Sequence, residues 1–277
     1  MGEDEMTWEQ YCLSKLDALQ KMFPDKNIEH PSTLTEKFQW LKIHDSTFLK
    51  AMCADKILLR KYSKLKLGKD ICFPILNTYA HSSDIEWSKL PDNFVIKCNH
   101  GSGYNIIVTD KNSANRDKIC KQLDTWLKID YGDLSYELYY NLIDKKIFIE
   151  PYMCPTVGTS LNDYKFWCFN GIPKFFTING DYGHGNFNHY DLHGNLLDIS
   201  RLDFPANPNR IDKMPVSLPL MIDYCKTLAR DFKFVRVDFY EINGIVYLGE
   251  LTFIPGSGRM KYTNPKTDLQ LGQLLTL

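Results

Sequence analysis

Residues 234–258 read FVRVDFYEINGIVYLGELTFIPGSG, two apolar β runs joined at Asn243-Gly244, with Arg236, Asp238 and Glu250 set inside them. An unpaired charge in such a run costs several kcal/mol, so the three side chains must be partnered. Loop length decides which of them share a face, because side chains alternate along a strand. A two-residue Asn-Gly turn pairs Ile242 with Ile245 and puts Asp238 and Glu250 on opposite faces. A three-residue loop, Ile242 to Gly244, with Gly244 in the left-handed position of a bulge, pairs Glu241 with Ile245. Asp238 then faces Leu248 and Arg236 faces Glu250, and Arg236, Asp238, Leu248, Glu250 and Thr252 share one face. The three-residue loop is the expectation adopted here. Carboxylates at diagonal positions repel unless a cation sits between them. That cation is either a divalent metal of the Mg type or Arg236 itself, paired with Glu250 while Asp238 lies at a solvated edge.

Protein side chains alone seldom hold Mg, which usually bridges to phosphates, so a phosphate cradle is the corroboration to seek. Val95-Ile-Lys97 and the loop Asn99-His-Gly-Ser-Gly103 supply one, a lysine in an apolar strand beside glycines that let backbone N–H groups close on an anion. Lys97 could also reach the surface along its own stem, and a Gly-Ser-Gly is often a plain turn.

The chain has 277 residues, 44% apolar and 24% charged, with net charge -1 and a pI near 6.6. This composition is that of a globular protein with no electrostatic footprint for nucleic acid or an anionic membrane. The first residues, MGEDEM, are acidic and lack an apolar signal region, and no run approaches ~18 consecutive apolar residues, which predicts a cytoplasmic protein without a transmembrane segment. The eight cysteines contain no C-x-x-C pair, against a disulfide framework or Cys-rich zinc site, and read as small buried hydrophobes.

Residues 7–68 read as helical. Trp8, Tyr11, Cys12, Leu16, Leu19 and Phe23 recur at helix spacing up to Pro24. Thr33 and Glu36 have capping-box spacing ahead of Phe38 and Leu41, and a third helix is expected from Ala54 through Tyr62 to a stop at Gly68. From residue 91 the pattern turns to strands, at 93–98, 105–109 and 146–151, with a helix around 117–126 and a tyrosine-rich connector. Strands follow at 164–169 and 173–178, then a Gly-, Asn- and His-rich loop at 179–195 and a helix at 218–232. The predicted class is α+β, with a mainly helical region 1–90, a strand-loop-strand-helix module 91–150 and a sheet-rich part 151–277.

The order of these motifs resembles that of the ATP-grasp superfamily, and more closely the TupA-like ATP-grasp family of bacterial surface-polysaccharide loci. The matching stretches are ADKILLR (54–60), FVIKCNHGSG (94–103), IFIEPY (147–152), DYKFWCFNG (163–171), RVDFY (236–240), GELTFIP (249–255) and DLQLG (268–272). The resemblance implies that two α+β subdomains, one a flexible lid, grip ATP with Mg. It implies that Lys97 contacts phosphate, that Gly101, Ser102 and Gly103 cover it, and that Glu150, Pro151, Tyr152 and Met153 form the hinge that reads adenine. His100, inside the glycine loop, is a further candidate for phosphate contact. By the same resemblance Asp163 lies near the ribose, Lys165 faces the transferred phosphate, Arg236 stabilises the acyl intermediate, and Asp238 and Glu250 hold the metal. Lys56 and Arg60 match an upstream basic helix. The chain departs from the pattern at Thr252, where many relatives carry an Asn metal ligand, and in its helical N-terminal part.

The reaction implied is ATP-dependent carboxylate–amine ligation through an acyl phosphate, amidating a uronic acid of a capsular or teichuronic-type polysaccharide or its precursor. The substrates would be a nucleotide sugar or lipid-linked glycan and an amino compound, with no nucleic-acid partner. Phosphotransfer to a sugar hydroxyl is the alternative, since no obvious base separates the two, and a glycosyltransferase-associated role is another. Intact Lys97, Asp238 and Glu250 argue against an ATP-binding scaffold. Ser257 and Arg259 in PGSGR, and His184 and His189 in the loop after residue 179, are candidate acceptor contacts. His184, His189 and His193 with Asp181 and Asp191 also suggest zinc, but the composition there says loop.

Overall fold

The structure, a computed structural model, describes residues 6–153, 161–179 and 185–277. The N-terminal helical run is split at Lys15 into α1 (Trp8–Ser14) and α2 (Leu16–Met22). Helix α3 (Leu34–His44) begins at the capping box read from the sequence. The Glu36 carboxylate accepts from the backbone N–H groups of Thr33 and Ser32, each at 3.0 Å, and of Asn27 at 3.2 Å. The third expected helix is two, α4 (Phe48–Ala54) and α5 (Leu59–Leu67). Asp55 breaks the run because its Oδ1 accepts from the N–H groups of Ile57 and Leu58, at 2.8 and 3.2 Å. Gly68, at φ 71°, ends α5 where expected. The break leaves Lys56 in a turn rather than on a helix.

Among the described residues the strands form two antiparallel sheets, so the class is α+β as read. The first contains β1 (Asn77–Tyr79), β2 (Phe94–Cys98), β3 (Asn105–Val108) and β4 (Ile147–Pro151), in the order β1-β4-β2-β3. Phe94, Ile96 and Cys98 are fully buried in one cluster with Ile119 and Leu123 of α6 (Arg116–Leu127), which leaves Val95 and Lys97 for the opposite face. Strand β1 is absent from the helical reading of the N-terminal region. The tyrosine-rich connector holds α7 (Tyr131–Ser135).

The second sheet contains β5 (Asp163–Phe169), β6 (Ile172–Asn179), β7 (Phe187–Asp191), β8 (Phe234–Ile242) and β9 (Ile245–Thr252), in the order β7-β6-β5-β8-β9. Helix α8 (Leu218–Leu228) buries Met221, Tyr224, Cys225 and Leu228 in the core with Phe166, Phe176, Val237 and Phe239 of one face. On the other face Phe38 of α3 meets Phe234 edge-on, centroids 4.7 Å apart, and α9 (Lys266–Gln273) packs beside α3. Strand β7 corrects the loop read over 179–195. Its buried positions are Asn188, His189 and Tyr190, which bond Thr177, Asp212 and the carbonyl of Asn207 while His189 Nε2 stays without a partner, so no apolar alternation marks it.

Candidate active site

The hairpin that opened the sequence reading turns through two residues, not three. Asn243 and Gly244 both have positive φ, 51° and 78°, and Ile242 pairs with Ile245. The expected Glu241–Ile245 pairing and Arg236–Glu250 register are therefore wrong. The carboxylates still share a face because a bulge further along the hairpin takes up one residue: Phe239 pairs with Leu248, and Asp238 with Glu250. Gly249 is the extra residue. A Cβ there would lie 2.6 Å from the Tyr240 ring, so the bulge requires glycine. Leu248 consequently points into the core at 1% exposure instead of joining the polar face.

The cross-strand partners of Asp238 extend the polar face over the whole sheet, in the row His189, Thr177, Lys165, Asp238, Glu250. Arg236 lies one step along, opposite Thr252. Its Nε and Nη2 donate to Asp238 at 2.7 and 2.5 Å, and Nη2 also reaches Glu250 at 3.2 Å and Thr252 at 3.1 Å. Lys165 donates to Asp238 at 2.9 Å and bonds Asp163. Burial pushes Asp238 up to about 6 against the pull of Arg236 and Lys165. Burial also acts to raise Glu250, but Lys56, Arg236 and Lys165 overcome it and hold that carboxyl at about 2. The Asp163 and Asp238 carboxylates outweigh burial at Lys165 and raise its affinity for the proton.

Facing this hairpin, the first sheet encloses a cleft of about 190 Å³ lined by Lys56, Lys97, Ser102, Gly103, Glu150 and Glu250 among others. Lys97 pairs with Glu150 at 2.6 Å. Gly101 and Gly103 take φ of 73° and 77°, and a Cβ on Gly101 would clash with Tyr104 at 2.7 Å. The turn after α4 anchors this loop: Lys56 N–H donates to Asn99 O at 3.1 Å and its Nζ to Gly101 O at 2.8 Å. Two lysines and the glycine loop thus line one cleft with Glu250, and Asp238 stands opposite Glu250 on the neighbouring strand, an arrangement compatible with a metal-bound polyphosphate.

The sequence matches the TupA-like ATP-grasp family over residues 36–276. The chain belongs to that family. Its fold is shared by the L-amino acid ligase from Bacillus licheniformis, at 11% identity and a TM-score of 0.51, over 89% of this chain and 56% of that one. A D-cycloserine synthetase aligns at 12% identity and TM-score 0.47, over 97% and 80% of the two chains. The D-alanine–D-alanine ligase from Bacillus anthracis, in complex with ATP, aligns at 18% identity and TM-score 0.44, over 74% and 55%. The chain therefore spans little more than half the length of the two amino-acid ligases. No curated protein matches it by sequence.

The expected site residues of this ATP-grasp protein divide into those the cleft gathers and those it does not. Lys56, Lys97, Ser102, Gly103, Glu150 and Glu250 line it, with Arg236, Asp238 and Lys165 linked behind Glu250. His100 turns away: it is 1% exposed, its Nε2 bonds Trp126 O at 3.1 Å, and burial lowers it to about 4, so the ring is neutral. Arg60 bonds Phe73 O and Asp70 instead of reaching the cleft. Pro151 ends β4, with Tyr152 and Met153 just beyond it, and only Glu150 of that hinge lines the cleft. Asp163 joins the charge cluster through Lys165, and its Oδ1 is buried without a partner.

Among the described residues no three His, Cys, Asp or Glu side chains form a metal cluster. Asp238 and Glu250 nevertheless fit a hard cation that takes most of its ligands from phosphate and water. They are opposed oxygen donors, and at present the Arg236 guanidinium bridges them as the cation. Thr252, hydrogen-bonded to Glu250 at 3.0 Å, is within the same group.

Past β9 the chain turns at Pro255–Gly258, where Gly256, Ser257 and Gly258 all have left-handed φ, 56°, 51° and 64°. Two buried side chains of α3 clamp this turn. Gln39 Nε2 donates to Gly258 O at 2.9 Å, and Lys42 Nζ donates to Ser257 O at 3.0 Å and Ser257 Oγ at 3.1 Å. Glu137, also buried, lies close enough to raise the proton affinity of Lys42, while burial lowers Lys42 to about 8 overall. Sequence reasoning missed Gln39, Lys42 and Glu137. The only signal was the spacing of Thr35, Gln39 and Lys42, a polar stripe beside the apolar one.

Of the acceptor candidates, Ser257 sits in that clamp and Arg259 lies outside it, 5.5 Å from the centre of the Phe23 ring. His184 lies outside the described residues. His189 is corrected from a loop contact to a buried strand residue, 2% exposed, with Nδ1 2.8 Å from the Thr177 hydroxyl. That hydroxyl also accepts the Trp167 indole N–H at 3.0 Å, and burial drops His189 to about 3.

Proposed function

We propose that this protein is an ATP-dependent ligase that joins a carboxylate to an amine. The observation that carries the reading is the meeting of Lys56, Lys97, Ser102 and Gly103 with Glu250 in one cleft, with Asp238 paired to Glu250 on the strand behind it, in an ATP-grasp fold. Lys97 and Lys56 bind the polyphosphate, and the N–H groups of 101–103 cover it. Backbone groups at 150–153 take the adenine, and Asp163 lies toward the ribose. Mg held by Asp238 and Glu250, with Thr252 beside them, would neutralise the phosphates. A carboxylate oxygen attacks the γ-phosphorus, forming an acyl phosphate and releasing ADP. The amine nitrogen then attacks the acyl carbon, phosphate leaves with the bridging oxygen, and the nitrogen loses its proton. Lys165 faces the transferred phosphoryl group, and Arg236 stabilises charge on the acyl centre, where a preorganised cation is worth most.

The acid we assign is a uronic acid of a capsular or teichuronic-type glycan or its nucleotide-linked precursor, acted on in the cytoplasm. Family membership supports that assignment. The test is product analysis: the protein with Mg-ATP, a panel of UDP-uronic acids and a pool of amino compounds, followed by phosphorus NMR and mass spectrometry. ADP with equal free phosphate, dependent on both substrates, is the expected result. ADP without free phosphate, alongside a phosphorylated sugar, would make the protein a kinase.

A further inference from the structure

The Pro255–Gly258 turn has a second cavity beside it. It measures about 550 Å³, lies between the C-terminal end of α2 and residues 258–261, and falls in the roughly 300–1,000 Å³ range of ligand sites. Its floor is apolar, built from Met22, Phe23 and Met260. Its rim is cationic, with Lys26, Arg259 and Lys261 against the single carboxylate of Asp25. Lys26 is fixed by Thr35 Oγ1 at 2.9 Å and pairs with Asp268 at 3.9 Å, so Arg259 and Lys261 carry the rim's uncompensated charge. Arg259 touches the Phe23 ring and, at 3.3 Å, the Met22 sulfur, and neither it nor Lys261 has a carboxylate partner among the described residues. A guanidinium seated on an aromatic ring, with its forked donors turned to no acid, is arranged to receive an anion.

The cavity adjoins the turn at Ser257, whose side chain bonds Glu137, and Glu137 in turn feels the charge of Glu250 in the cleft. Gly258 lines the cavity, one residue beyond Ser257. The Phe23 ring lies 5.2 Å from Lys42 Nζ and 5.5 Å from the Arg259 guanidinium, so a single aromatic side chain links the cavity to the clamp that holds the turn. We propose that this cavity binds a ring-bearing organic anion, a phosphate- or carboxylate-bearing sugar, as the remote end of the substrate joined in the neighbouring cleft. An inorganic anion would leave the apolar floor unused, and a neutral ring would leave Arg259 and Lys261 unused. The assignment rests on the ligase reading and extends it to a second binding region.

Calorimetric titration of the full chain with UDP-glucuronic acid, UDP-glucose and pyrophosphate tests it, each with and without saturating Mg-ATP. UDP-glucuronic acid binds in both conditions, pyrophosphate binds at least about tenfold more weakly, and Arg259→Ala/Lys261→Ala weakens the sugar nucleotide by about tenfold or more, a loss of about 1.4 kcal/mol. Mg-ATP affinity is unchanged in that variant, and Asp25→Asn tightens the sugar nucleotide. Both rim residues are exposed, so the variant should melt where the wild type does. Sugar-nucleotide binding unaffected by the double substitution, or pyrophosphate bound as tightly, overturns the proposal. So does the failure of every probe to bind while Mg-ATP binds. Failure of Mg-ATP to bind, with the rim-dependent sugar binding intact, removes the ligase reading and leaves the cavity's ligand standing.

Discussion

Asp238 is 1% exposed and bonded to two cations, Arg236 and Lys165, while Glu250 opposite it opens to the cleft with its side chain 38% exposed. The Asp238 carboxylate balances charge inside the sheet and, in the proposed reading, also holds the metal at the cleft. Replacing it with Asn keeps the shape and removes the charge, so Arg236 and Lys165 lose their shared anion. We expect Asp238→Asn to remain folded and to form ADP about 100-fold more slowly or worse, read by coupled ADP release beside a thermal melt. A rate within a few-fold of wild type would remove Asp238 from the site. At this scale the sequence was informative where a charge interrupts an apolar run: Lys97, Arg236, Asp238 and Glu250 all declare themselves by the cost of burying them. Lys42 and Glu137 do not. Each sits in ordinary local surroundings, and their contact depends on distant segments meeting around Ser257.

The hairpin shows how an element can present the right face through an unexpected register. A three-residue loop was expected and a two-residue turn is found, although the Asn243-Gly244 turn itself was legible. The bulge was not, because Gly249 advertises itself only as one glycine in a strand, and its need becomes visible when Tyr240 is placed against it. Gly249→Ala should cost about 1–3 kcal/mol in urea unfolding, since the new methyl must displace the Tyr240 ring that lines the cleft. A stability unchanged by the substitution would mean that the register does not depend on that residue. Helix α3 is the contrary case, legible from Thr33 and Glu36 alone. Glu36 is held at about 2: partial burial works to raise it, and the N–H groups of Thr33, Ser32 and Asn27 lower it further. A carboxylate depressed in the folded state contributes stability above its unfolded value near 4.5 and loses it as pH falls toward about 2. Glu36→Gln should therefore destabilise by about 0.5–2 kcal/mol at pH 7, with the difference closing between pH 5 and 2 in denaturant titrations. A difference independent of pH would show that charge plays no part.

Across the whole molecule, the two sheets and the helices between them bring chain segments from residues 56 to 250 to a single cleft. The motifs at 54–60, 94–103, 147–152 and 249–255 supply Lys56, Lys97, Ser102, Gly103, Glu150 and Glu250 of its lining, while Lys165 and Asp238 sit mid-strand behind it. What the order of motifs could not give was the second cavity, because α2 and residues 258–261 are distant in sequence and meet beside α3, which packs on the second sheet. No described helix is long and apolar enough to cross a membrane. The central claim is that a substrate carboxylate is activated by ATP. The direct measurement places oxygen-18 in the carboxylate of the UDP-uronic acids and follows the phosphate released during turnover with Mg-ATP and amino compounds. The account predicts free phosphate carrying a labelled oxygen, because the carbon–oxygen bond of the acyl phosphate breaks when the amine attacks. Unlabelled free phosphate, or label retained entirely in a phosphorylated sugar, would contradict it.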